Sequence, residues 1–137
     1  MKLDRLEHVG IVVRDLEASV AFFRDVLGLR LGEGEDPDTH KIKIALMPLG
    51  ETMVELIEDQ DAHGPYSRFI AEKGEGVHHL CFEVRDIDVA IEELRQAGAD
   101  LHNEEPVRGH QNCRILFFNP PGSRETLIEL CERNGGG

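Results

Sequence analysis

The segment His8-Val9-Gly10-Ile11-Val12-Val13-Arg14-Asp15-Leu16 returns as His79-Leu80-Cys81-Phe82-Glu83-Val84-Arg85-Asp86-Ile87, at a constant offset of 71. The copies share Val-Arg-Asp, and an apolar helical pattern follows each. A second echo sets Val54-Glu55-Leu56 against Ile128-Glu129-Leu130 at an offset of 74. Each copy therefore opens with a His on a strand and closes with a Glu on a strand. A length of 137 residues suits one compact domain, or two small repeated modules sharing a sheet. Two His and two Glu, repeated in phase, read as a metal site.

Periodicity fills in the modules. Alternation over residues 6–13 puts Val9, Ile11 and Val13 on one face and His8, Gly10 and Val12 on the other. Asp15 then serves as a helix N-cap, with Glu17 in the first turn where the helix dipole favours a carboxylate. Leu16, Val20, Phe23 and Leu27 form the apolar stripe of a helix stopped by Gly28, which should cover the Val9 face and leave His8 free of it. A short strand at 29–32, an acidic Gly- and Pro-broken loop at 33–40, and strands at 41–47 and 52–58 complete a β-α-β-β-β module. Ile42, Ile44 and Leu46 are expected on the buried side of its third strand. On its last strand Val54 and Leu56 share the helix side, while Met53, Glu55 and Ile57 face the other way.

A linker over 60–76, with a short helix at 65–73 carrying Phe69 and Ile70, leads to the second copy. Leu80, Phe82 and Val84 match Val9, Ile11 and Val13, and Asp86 caps a helix patterned Ile87, Ile91, Leu94. Strands at 99–102, 113–118 and 125–132 follow, the last placing Leu127, Glu129 and Cys131 opposite Ile128 and Leu130. The expected boundaries are one domain over 5–132 (modules 5–59 and 77–132) and a flexible tail at 133–137.

His8, Glu55, His79 and Glu129 make a mixed N/O donor set suited to one borderline divalent ion such as Co, Ni, Mn, Fe or Zn, with positions left for water or substrate. His78 is out of phase and is expected not to ligate. His40, His63, His102 and His110 fall in loops as ordinary solvated imidazoles. Cys81 and Cys131 share the ligand face as small apolar walls, with no basic group placed to activate them. Lys41, Lys43, Arg108 and Arg114 are available to meet an anionic substrate.

A net charge of −12 excludes nucleic acid and disfavours an anionic membrane surface. Three Cys without C-x-x-C spacing give no disulfide framework, and Asp4, Arg5 and Glu7 interrupt any signal-peptide core. The expectation is a cytoplasmic protein.

Several stretches together resemble the vicinal oxygen chelate superfamily, which includes glyoxalase I, bleomycin resistance proteins and extradiol dioxygenases. They are Glu7 to Val13, Gly76-Val77-His78-His79-Leu80-Cys81-Phe82-Glu83-Val84, Glu104-Glu105-Pro106-Val107, and Asn119-Pro120 followed by Leu127-Ile128-Glu129-Leu130. Within it the chain is most similar to the methylmalonyl-CoA epimerases. The resemblance implies an α+β fold of two tandem βαβββ modules in a curved mixed sheet around the metal, and a homodimer. It implies an isomerase that inverts the α-carbon of a methylmalonyl-CoA-type thioester through a metal-chelated enolate, with Glu129 doubling as proton-transfer base. Such epimerases carry a second catalytic Glu before the third strand. Here Thr39-His40-Lys41 stand there, with Asp36 and Asp38 the nearest carboxylates. Lactoylglutathione lyase, which turns a glutathione hemithioacetal into a glutathione thioester, shares the four-ligand pattern and is the alternative. A non-catalytic ligand-binding protein of the same fold is the second alternative, against which the complete ligand set counts.

Overall fold

A computed structural model describes residues 1–32, 41–109, 112–123 and 125–133. They contain eight strands and three helices. The chain divides into two compact units, His8–His78 and Met1–Glu7 with His79–Gly137, so each cut falls immediately before one of the two predicted His ligands. The expected loop bases Asp36 and Asp38, with His40 and His110, lie outside the described residues.

In the His8–His78 unit the strand order is β2 (Ile42–Leu49), β3 (Thr52–Asp59), β1 (Leu3–Val12, from His8 onward). β3 runs parallel to β1 and antiparallel to β2. Helix α1 (Leu16–Asp25) starts where Asp15 accepts the Ala18 N–H at 3.1 Å, the cap that its spacing predicts. Its stripe packs Leu16, Val20 and Phe23 on Ile11, Val13, Val54 and Leu56. Helix α2 spans Pro65–Lys73, as read from the sequence, and opens on Pro65, whose missing N–H costs nothing in a first turn.

Three local expectations fail here. The helix side of β2 is Ala45 and Met47, only 7% and 0% exposed, whereas Ile42, Ile44 and Leu46 are half-buried. Register explains the inversion: Leu46 opposes Glu55 and Ile44 opposes Ile57, so the branched residues wall the Glu55 face instead. Leu27 falls beyond the end of α1 and is 53% exposed. Residues 29–32 form no regular strand, although the Gly32 N–H donates to the Leu46 carbonyl at 2.7 Å.

The other unit has strand order β4 (Gly76–Val84, from His79 onward), β8 (Ile128–Glu132), β7 (Arg114–Asn119), β5 (Asp100–Leu101), with β6 (Val107–Arg108) also on β7. β8 lies parallel to β4 and antiparallel to β7. Helix α3 (Ile87–Gln96) is capped by Asp86, which accepts from Asp88 and Val89 N–H. Ile87, Ala90, Ile91 and Leu94 join Val84, Leu116, Phe118 and Leu130 in a core that Phe82 and Ile128 extend. The last strand begins at Ile128 and not at 125. Arg133, assigned to the tail, pairs with Glu7 and Glu83.

The two units repeat each other in register. Gly10 opposes Glu55, which opposes Leu46; Cys81 opposes Glu129, which opposes Phe117. The duplication seen as an offset in the sequence is thus an equivalence of strand pairing.

Candidate functional site

Charged and polar side chains are rarely fully buried unless something compensates them. Among the described residues, the buried polar group is Glu7, His8, Glu55, His79, Asn119 and Glu129. Four of these six are the residues singled out by the repeat. The other two have structural partners: Asn119 bonds the Thr126 carbonyl and His102, and Glu7 pairs with Arg133.

Each unit brings its His and its Glu together. In the His8–His78 unit, Nε2 of His8 lies 3.7 Å from Oε2 of Glu55, with both side chains about nine-tenths buried. Glu55 sits between Met53 and Ile57 on that face of β3, as alternation requires. In the other unit, Nε2 of His79 lies 3.3 Å from Oε1 of Glu129. The Phe117 ring meets the His79 imidazole edge to face at 5.7 Å, which limits how the ring can turn.

An imidazole nitrogen and a carboxylate oxygen at these separations are too far apart for a good hydrogen bond but well placed to share a cation. The donor chemistry of each pair, an imidazole nitrogen with a carboxylate oxygen, fits half of a borderline divalent site.

Other expectations resolve on contacts. His78 packs edge-on against Tyr66 and Phe69 at 5.0 and 4.9 Å, an aromatic role consistent with a non-ligand. His102 is not simply solvated, since its Nε2 meets Asn119 Oδ1. Arg114, a candidate for an anionic substrate, is held by Asp88 and Glu132 at 2.9 and 3.0 Å. Arg108 donates to Asn112, and Lys41 sits 3.6 Å from Asp61. A cavity of about 790 Å³ between α1 and β2 is lined by residues such as Val20, Arg24, Lys43 and Glu58, but by neither His8 nor Glu55.

Sequence reasoning missed one repeated pair. Glu58 accepts the Leu16 N–H at 3.0 Å, and Glu132 accepts the Ile87 N–H at 2.7 Å. Each stands three residues after a candidate ligand Glu and ties the strand that carries it to the start of its helix. The signal was present, because 58 and 132 repeat the same offset of 74 as the ligand carboxylates.

Each unit thus runs from a strand through a helix to further strands, and each buries one His–Glu pair. The model of the glyoxalase/bleomycin resistance protein/dioxygenase superfamily matches residues 7–117, and the chain belongs to that superfamily. An ethylmalonyl-CoA/methylmalonyl-CoA epimerase of Cereibacter sphaeroides is 35% identical over 93% of this chain and 97% of its own. The mitochondrial methylmalonyl-CoA epimerase of Bos taurus is 33% identical over 93% of this chain and 74% of its own. A methylmalonyl-CoA epimerase solved in complex with methylmalonyl-CoA and ammonium superposes with a TM-score of 0.87, at 28% identity over 98% of both chains. The mixed α+β, glyoxalase-like fold is therefore shared with these epimerases. No helix among the described residues is long and apolar enough to cross a membrane.

Proposed function

We propose that the protein is a divalent-metal-dependent epimerase that inverts the α-carbon of a methylmalonyl-CoA-type thioester. One observation carries this reading: a buried His–Glu pair recurs at equivalent register in both halves of a chain 35% identical to such an epimerase. His8, Glu55, His79 and Glu129 are the proposed ligands. When bound, a divalent ion supplies positive charge against the negative charge that builds on substrate oxygen as the α-proton leaves.

The chain's own groups do the rest. A carbon acid α to a thioester is too weak to yield its proton to an ordinary carboxylate, so acceptor and charge stabilisation must act together. Glu129 is the proposed proton acceptor, on a strand fixed between β4 and β7. Glu129 is buried, with Cys81 and Phe117 as its register neighbours. Inversion needs the proton returned on the opposite face, which calls for a second donor.

The test is metal analysis of the purified chain beside His8→Ala and His79→Ala, with α-proton exchange in deuterated water on methylmalonyl-CoA. About one divalent ion per chain, reduced in both variants, with wild-type exchange of the thioester, supports the reading. Equal metal in all three proteins removes the ligand assignment. Turnover of a glutathione hemithioacetal alone would make the protein a lyase of the same superfamily.

A further inference from the structure

Phe117 stands on β7 between Leu116 and Phe118, which pack with α3 and are only 0% and 7% exposed. Alternation turns Phe117 to the other side of the sheet, where Glu129 is its partner in register. Its ring also makes a T-shaped contact with the His79 imidazole, at 5.7 Å and 82°. Directly opposed residues of antiparallel strands hold their Cβ atoms about 4.5–5.5 Å apart. One side chain therefore flanks both members of the His79–Glu129 pair. The fold does not require a ring at this place. Its counterpart in the other half is Leu46, at the same offset of 71 as the two histidines, and Leu46 opposes Glu55 as Phe117 opposes Glu129. Phe117 is also only half-buried, so core packing does not account for its size.

We infer that Phe117 is a positioning residue, whose ring holds the His79 imidazole with Nε2 directed at Oε1 of Glu129 before any ion arrives. This role rests on the proposed ligand set. A perpendicular aromatic neighbour narrows the range over which the imidazole can rotate. Freedom already lost in folding is not lost again on binding, and that is how preorganisation raises affinity. The two halves differ in the expected direction. The pair beside the ring is the closer one, 3.3 Å with the His79 side chain 3% exposed; the pair opposite Leu46 stands at 3.7 Å with the His8 side chain 10% exposed. The His79–Glu129 half is thus the preset half of the ligand set, and Leu46 leaves the other free to adjust.

The experiment is a Co²⁺ titration of the full chain, read by the visible absorption of the bound ion, together with ¹³C relaxation of the His79 ring C–H groups in the metal-free chain. Phe117→Leu puts the residue of the other half in place of the ring. It should weaken Co²⁺ binding about 10-fold, the scale on which neighbours of metal ligands count, and should leave the His79 imidazole mobile. Phe117→Tyr keeps the T-shaped contact and should bind within about 2-fold of wild type, with a rigid imidazole. Phe118→Leu, on the helix side, should lower the urea midpoint and leave Co²⁺ affinity unchanged, which separates positioning from general packing. Should Phe117→Leu fail to fold, Phe117→Ile takes its place, since a β-branched residue suits a strand. Equal Co²⁺ affinity with and without the ring, or an imidazole as rigid without it, overturns the role of Phe117 and leaves the ligand set standing. A wild-type chain that binds no Co²⁺ removes the ligand set and this role with it.

Discussion

Glu55 and Glu129 are equivalents in the repeat, yet their surroundings differ. Glu55 has Gly10 and Leu46 as register neighbours, whereas Glu129 has Cys81 and Phe117. An amide oxygen can still donate to a cation, but it cannot take up an α-proton. On the proposed function, Glu55→Gln should keep the fold and much of the activity. Glu129→Gln should keep the fold and lose about 100-fold or more in rate, the scale of a removed general base. Measuring α-proton exchange at saturating metal separates proton transfer from metal loss. A fast Glu129→Gln beside a dead Glu55→Gln would reverse the roles.

Between strand and helix, the repeated ties at Glu58 and Glu132 set where each helix begins. Glu132 does double service, since it also holds Arg114 at 3.0 Å. A hydrogen bond to an ionised, half-buried carboxylate is worth about 1.5–3 kcal/mol, and an N-cap about 1 kcal/mol. Glu132→Ala should therefore lower unfolding free energy by about 2 kcal/mol, and Asp86→Ala by about 1 kcal/mol, in urea titrations at unchanged m-value. A cost below that of Asp86→Ala would show that the Glu132 tie is incidental.

Over the whole molecule, a net charge of −12 faces a proposed substrate that is itself a polyanion. Like charges repel over roughly a Debye length, about 30 Å at 0.01 M salt and 8 Å at 0.15 M. Raising salt across that range should therefore increase kcat/KM for the CoA thioester, by roughly 2- to 5-fold, through a faster encounter. The Arg114 and Lys41 pairings favour this sign, since both cations are partnered by carboxylates. A fall in kcat/KM would reveal a local basic funnel that outweighs the global field.

Local periodicity sufficed for the opening strand and helix of each half, for the Asp15 and Asp86 caps, and for the phase of His8, Glu55, His79 and Glu129, but not for the expected strand at 29–32. A strand's alternation and a helix's cap are decided within a few residues, so one sequence carries them. Alternation alone could not say which face of β2 turns to α1, because Ala45/Met47 and Ile44/Leu46 are both apolar sets; pairing with β3 decided it. Cys81 of β4, Cys131 of β8 and Cys113 just before β7 gather in one buried cluster, and Glu7 meets Arg133 across 126 residues. Such contacts have no period to betray them. They exist only once parallel and antiparallel pairing has carried distant strands to one face, and that was the work of the tertiary structure.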